Sequence, residues 1–202
     1  MLDRAAIGLL RPGLDWAARG VARTGIVADQ VTIAGFAVGI GSAVAIAHSH
    51  FGLGMVLLLT SRLADGLDGA LARLTAPTDR GAFLDITLDF IFYASVPLGF
   101  ALADPHANAL PAAVLLAAFI GTGSSFLAFA ALAAQRGLTN QALPDKGIYF
   151  LGGLTEATET LICFLLMCVW PQHFAIWAYG FAAMCAVTIA TRLVAGWRAL
   201  EP

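Results

Sequence analysis

The sequence predicts an all-α polytopic membrane protein, with six transmembrane helices behind an amino-terminal amphipathic helix that lies in the membrane interface. Composition is the first reason. Of the 202 residues 59% are hydrophobic and 12% charged, with a mean hydropathy of +0.83, whereas a soluble domain is about one-quarter charged. Segmentation is the second. Six apolar stretches, near 31–47, 51–74, 81–103, 108–135, 147–170 and 172–198, each approach the roughly 20 residues that a bilayer requires. The joints are the third: "HSHFG", "TAPTDRG", "ADPHAN", "RGLTNQALPDKG" and "WPQH" are short and carry helix breakers. Residues 1–24 are therefore expected to form the interfacial helix, and residues 25–202 a single six-helix domain in the lipid bilayer.

Each element has its own signal. In the first 24 residues, Arg4, Gly8, Arg11, Asp15 and Arg19 follow one helical stripe, with Ala6, Leu9, Leu10, Trp16 and Ala17 opposite. That pattern suits a helix in the headgroup plane, interrupted near Pro12. A signal peptide is not expected, since no apolar core of adequate length precedes a cleavage site. Asp29, just ahead of the first span, is expected to cap it.

Basic residues set the orientation. Arg4, Arg11, Arg19 and Arg23 precede the first span, Arg73 and Arg80 flank the second joint, Arg136 and Lys146 the fourth, and Arg198 follows the last span. The first, third and fifth joints hold no Lys or Arg. The positive-inside bias then assigns both termini and the even joints to the cytoplasm. His48, His50, His106 and His173 fall on the opposite side, scattered along the interface. Cys163, Cys168 and Cys185 lie in apolar runs without metal-ligand spacing and read as buried thiols. A net charge of −2 gives no case for nucleic acid.

Against this apolar background stands "DGLDGALARLTAPTDRGAFLDITLDF", Asp65 to Phe90. Asp65, Asp68 and Ala72 share one face of the second span, and Asp85 and Asp89 one face of the third. The short joint between them makes the two spans antiparallel neighbours, so the four carboxylates can converge on a pocket open to the cytoplasm. Each acid at membrane depth costs about 2.5–3.5 kcal/mol on the lenient insertion scale. Arg62 can neutralise one of them, whereas two divalent cations neutralise all four. Clustered carboxylates are hard oxygen ligands suited to Mg²⁺ or Mn²⁺. Such a pair of ions is a common clamp for displacement at phosphorus. Gly66 and Gly69 interrupt the helix that carries the first two acids, which lets something approach its backbone. Arg73 ends that face with a fork able to hold phosphate.

The order Asp65-x-x-Asp68-Gly69-x-x-Ala72-Arg73, followed by Gly81-x-x-x-Asp85-x-x-x-Asp89, resembles the signature of the CDP-alcohol phosphatidyltransferases of the integral-membrane class. All eight specified residues are present in order. One departure is visible: seven residues separate Arg73 from Gly81, where the family usually has eight. The resemblance implies an enzyme of phospholipid biosynthesis that binds CDP-diacylglycerol, or a related CDP-alcohol, and an alcohol acceptor. A hydroxyl attacks phosphorus, CMP leaves and a phosphodiester remains. Carried over position by position, Asp65, Asp68, Asp85 and Asp89 hold two divalent cations, Mg or Mn, and Asp89 is the general base. Asp65, Gly69, Ala72 and Arg73 meet the CDP moiety. The resemblance also implies a homodimer, placed in the inner (plasma) membrane of a bacterium.

A second group of ionisable residues lies further on. "GIYFLGGLTEATETLICF" puts Glu156 and Glu159 one helical turn apart in the fifth span, with Tyr149 and Gly152 nearly on the face of Glu156. Arg192 of the sixth span is within reach of Glu156. Intramembrane ionisable groups are functional candidates, and Glu156, Glu159 and Arg192 are expected to line the acceptor pocket. "GTGSSF", Gly121 to Phe126, is expected to be a helix-packing face. Two rivals make different demands. An ion-coupled transporter would spread acids through both halves of the membrane. A metal-dependent prenyltransferase would repeat an Asn/Asp-rich pattern on two distant helices. This chain has one contiguous cluster.

Overall fold

The computed structural model describes residues 2–137 and 153–201, and of residues 2–7 the backbone alone. The described residues form seven α-helices and no strand: α1 (Leu2–Ala22), α2 (Ala28–Ala47), α3 (Phe51–Thr75), α4 (Asp79–Ala103), α5 (Pro105–Gln135), α6 (Ala157–Val169) and α7 (Phe174–Ala199). A 3₁₀ turn, Pro171–His173, joins the last two. Of these, α2, α4, α5 and α7 with its leading turn are long and apolar enough to cross a membrane. The expected six are not all met by that criterion among the described residues. α3 has the length but interrupts its apolar run with Arg62, Asp65, Asp68 and Arg73, and α6 has only 13 residues.

α2 is the hub of the amino-terminal half. Its Gly35 and Gly39 remove side-chain bulk where neighbours press in. A Cβ on Gly35 would meet Ala64 Cβ of α3 at 2.8 Å, and one on Gly39 would meet the Phe92 ring of α4 at 2.5 Å. Ser61 then donates a hydrogen bond to the Gly35 carbonyl at 2.8 Å, and Ser42 to the Gly54 carbonyl at 2.7 Å. Small residues and interhelical hydrogen bonds are the usual means of association in lipid. One consequence corrects the sequence reading. α2 packs closely on both α3 and α4, while α3 and α4 are not a closely packed pair. They stand apart at the level of the acids, which leaves the space between them.

Aromatic rings fill the other half. Phe100 stacks on Phe174 with centroids 4.7 Å apart and on Phe51 at 5.7 Å. Phe92, Phe164, Met167 and Leu115 are fully buried around them. Outward positions such as Leu110, Ile120 and Ile176 are exposed and apolar, as a lipid-facing surface requires. All three cysteines are free and buried.

Three further expectations meet a different arrangement. α1 is continuous through Pro12. Pro12 and Gly8 lie on the exposed side, where a carbonyl left without its helical partner can be solvated. Asp29 does not cap the first span. Val27 is the N-cap residue, its N–H bonded to the Gln30 side chain at 3.2 Å, and Asp29 pairs instead with Arg80 at 3.5 Å. The fifth segment is not helical up to its expected start, because residues 153–156 precede α6 in irregular backbone. There the N–H groups of Leu154 and Thr155 both donate to Thr188 Oγ1 of α7 at 3.1 Å, and the Thr155 hydroxyl does so at 3.0 Å. Backbone groups that leave the helical ladder inside a membrane need such partners. Lys146, Tyr149 and Gly152 lie outside the described residues.

Candidate active site

Two turns of α3 and two of α4 carry the acids. The spacing that puts Asp65 and Asp68 on one face of α3, and Asp85 and Asp89 on one face of α4, turns all four toward the gap between these helices. One carboxylate oxygen each from Asp65, Asp68 and Asp85 lies within 4.8 Å of the others. Asp68 is the deepest, 4% exposed, and its Oδ2 is buried without a hydrogen-bond partner. The space they enclose is about 10 Å³, also lined by Thr32, Gly35, Ser61, Arg62 and Asp89. A volume of that order admits a small ion between the carboxylates. Three converging carboxylates, one with an unused oxygen, fit a divalent cation by donor type and by charge.

Asp89 stands slightly apart and is held by Arg62. The Arg62 Nη1 donates to Asp89 Oδ1 at 2.7 Å and lies 3.5 Å from Asp65 Oδ1. The guanidinium is stacked 3.9 Å above the Phe92 ring, and its Nη2 reaches Ser61 Oγ at 3.3 Å. A cation over an aromatic face and beside two carboxylates is strongly localised. Arg62 entered the sequence reading as a partial counter-charge, and the bridge it makes between α3 and α4 comes from the packing on α2.

The glycines of the motif differ in surroundings. A Cβ on Gly66 would meet Leu14 Cδ1 of α1 at 2.9 Å, whereas one on Gly69 would meet nothing nearer than Arg73 Nη1 at 3.5 Å. Gly69 thus faces open space at the rim of the acids, with half-buried Ala72 beyond it. The Arg73 Nη2 lies 3.9 Å from Asp15 of α1. α1 reaches this region because Leu14, Ala18 and Val21 pack on Ala70 and Leu71 of α3. The stripe of Leu9, Leu10 and Trp16 remains exposed on its other side.

Asp89 also faces a second, larger cavity. This space of about 230 Å³ is walled by Phe90, Tyr93, Phe119, Phe126 and Phe181, with Glu156, Thr160 and Arg192 among the polar contributors. Glu156 and Arg192 thus meet in one cavity with Asp89, although Glu156 arrives as the N-cap residue of α6 rather than from mid-helix. Glu159 is not on its wall. Its carboxylate accepts the Glu156 N–H at 3.2 Å, closing the capping box, and the side chain borders a separate apolar groove with Ile162 and Trp177. The "GTGSSF" segment packs within the chain, Gly121 against Ile189 of α7 and Gly123 against Phe90 of α4. Sequence reasoning missed Thr188 and Thr122. Their hydroxyl or carbonyl groups anchor the Gly153–Glu156 segment and Arg192, and lone threonines in apolar helices carry no periodic signal.

A helical membrane scaffold with converging carboxylates at the meeting point of two cavities defines a class, and a family profile agrees. The CDP-alcohol phosphatidyltransferase profile matches residues 25–191, and the chain belongs to that family. It is accordingly an integral membrane transferase of phospholipid biosynthesis that uses divalent cations. Inner membrane protein YnjF of Escherichia coli is 49% identical over 201 residues, covering 100% of this chain and 98% of that protein. The phosphatidylinositol phosphate synthase of Mycobacterium tuberculosis, solved with CDP-DAG bound, is 26% identical with a TM-score of 0.72 over 94% of this chain and 97% of that one. The same synthase in complex with manganese and citrate gives a TM-score of 0.74 at 24% identity, over 94% and 92% of the two chains, and speaks to the fold.

Proposed function

We propose that the chain transfers the phosphatidyl group of CDP-diacylglycerol, or of a related CDP-alcohol, to an alcohol acceptor and releases CMP. The observation that carries this reading is the position of Asp89, on the wall of both the acid-lined space and the larger cavity. In this reading Asp65, Asp68, Asp85 and Asp89 hold two divalent cations, Mg or Mn. When bound, these supply charge stabilisation at the diphosphate. Asp65, Gly69, Ala72 and Arg73 receive the CDP moiety, for which the open face at Gly69 leaves room. Asp89 accepts the proton of the attacking hydroxyl, and its bridge to Arg62 holds its carboxylate in orientation. Glu156 and Arg192 position the acceptor, and Glu159 supports Glu156 through the capping box.

Residues 1–24 serve as the interfacial helix and 25–202 as the catalytic domain. Both termini and the active site face the cytoplasm of a bacterial inner membrane, a placement supported by the distribution of Arg and Lys. A homodimer is the expected assembly. The test is CMP release by purified protein from CDP-diacylglycerol with Mg²⁺ or Mn²⁺ and a panel of alcohols. No release with any alcohol, under conditions where the protein is folded and metal-loaded, would remove the proposal.

A further inference from the structure

The four aspartates of the hairpin are not equivalent. One oxygen each from Asp65, Asp68 and Asp85 converges within 4.8 Å, and Asp89 is not among the three. Asp68, 4% exposed, lines the acid-lined space and keeps its Oδ2 without a hydrogen-bond partner. Asp89 is taken up by Arg62 instead. The Arg62 Nη1 lies 2.7 Å from Asp89 Oδ1 and 3.5 Å from Asp65 Oδ1, so one N–H group serves the facing carboxylates of α3 and α4.

Several neighbours fix Arg62 in that place. Its guanidinium lies 3.9 Å from the Phe92 ring centroid and 5.4 Å from that of Tyr93. Its Nη2 stands 3.3 Å from the hydroxyl of Ser61, which is fully buried and itself bonded to the Gly35 carbonyl of α2. Only 12% of the Arg62 side chain is exposed. A cation so enclosed competes with any metal ion that needs the same oxygens. Mg²⁺ takes its ligand oxygens at about 2.0–2.1 Å, and a guanidinium bonded to one of them repels it at close range.

We propose that Arg62 is a positioning residue that makes the two cation positions of the hairpin unequal. The first cation is held by Asp65, Asp68 and Asp85. The second needs Asp89, and enters only when Arg62 gives up its bond to Asp89 Oδ1. This rests on the two-cation reading of the site given above. Two dications and a guanidinium outweigh four carboxylates in charge, so the filled hairpin favours a further anion. The diphosphate of the CDP-lipid is such an anion, and it offsets both the second cation and the displaced guanidinium. Arg62 therefore orients Asp89 in the nucleotide-free protein and yields that carboxylate in the substrate complex.

Mn²⁺ binding to the full chain in detergent tests this, with the free ion counted by electron paramagnetic resonance. Without nucleotide, the wild type should take up one Mn²⁺ and bind a second about 10–100-fold more weakly, the worth of a charge-assisted hydrogen bond. Arg62→Met should tighten the second by the same factor and show the spectrum of a coupled pair at roughly 3.5–4 Å. Adding CDP-diacylglycerol without an alcohol should bring the wild type to two. Two Mn²⁺ of equal affinity in the nucleotide-free wild type overturn the proposal and leave the two-cation reading intact. An unchanged second affinity in folded Arg62→Met protein does the same. No Mn²⁺ bound with or without CDP-diacylglycerol overturns that reading and the proposal together. Should Arg62→Met fail to fold, Asp89→Asn decides. It should keep the single tight Mn²⁺ of the nucleotide-free protein and lose the one that CDP-diacylglycerol brings; loss of the tight ion overturns the proposal.

Discussion

The two spaces that meet at Asp89 are built in opposite ways. The acid-lined one draws its carboxylates from a single helical hairpin, α3 and α4, whose i,i+3 and i,i+4 spacings point them together. The aromatic cavity collects residues from α4, α5, α6 and α7, including backbone groups that no helical pattern predicts. Chemistry on a diphosphate needs charge at fixed separations, which a local motif can encode. Recognition of an alcohol needs a shaped volume, which only tertiary packing makes. In the proposed function, the hairpin therefore carries the reaction and the four-helix cavity selects what takes part in it.

The largest expected effect falls on the shared wall. Asp89→Asn keeps the size and the Arg62 hydrogen bond but cannot take a proton, and turnover should fall by about 10²–10⁴-fold. The check is CMP release alongside size-exclusion behaviour in detergent. A folded Asp89→Asn protein with near-normal turnover would strip the contact between the two spaces of its catalytic meaning.

Arg62 offers a smaller effect and a sharper one. It joins α3 to α4 with charge-assisted bonds, and Arg62→Met should destabilise the protein by roughly 2 kcal/mol in the presence of a chelator. Mg²⁺ should restore much of that loss, because a dication relieves the same repulsion between Asp65 and Asp89. Thermal unfolding with and without Mg²⁺ measures the difference. Equal losses under both conditions would mean that the acids do not share a metal with the space Arg62 guards.

How much of this was legible follows the same division. The helices from Ala28 to Gln135 follow from apolar length and from breakers at "HSHFG", "TAPTDRG" and "ADPHAN". Asp65, Asp68 and Asp85 converge as their spacing requires. The separation of α3 from α4 was not legible, because it depends on Gly35 and Gly39 drawing both helices onto α2. Nor was the start of α6. Apolar periodicity carries through Gly153, but the backbone there bonds to Thr188, a hydroxyl 33 residues away from Thr155. The docking face of α1 was obscured for a related reason. Its exposed Leu9 and Trp16 gave the stronger amphipathic signal than Leu14, Ala18 and Val21, which pack on α3.

On the cavity side, Glu156→Gln should raise the acceptor KM by about tenfold while leaving the CDP-lipid KM unmoved, as expected for loss of a hydrogen bond to a charged group. Steady-state kinetics with each substrate varied in turn separates the two. Equal rises in both KM values would merge the spaces into one site, and the contrast drawn above would fail.

The finest distinction lies within the hairpin, between two glycines three residues apart. Gly69→Ala adds a methyl to an open face, where Arg73 Nη1 at 3.5 Å is its nearest contact. The helix should gain up to about 1 kcal/mol from the better helix former, and the CDP-lipid KM should still rise, because the methyl takes space assigned to the nucleotide. Gly66→Ala puts its methyl 2.9 Å from Leu14 Cδ1, the mobile end of a side chain on α1. The same propensity gain is then offset by repacking, which in a tight contact costs about 1–3 kcal/mol, and the nucleotide kinetics should not move. Stability and KM changing in opposite senses at Gly69, but not at Gly66, would separate a glycine kept for a ligand from one kept for a neighbouring helix. If both variants lose only stability, the open face at Gly69 belongs to packing, and the nucleotide lies elsewhere along the acids.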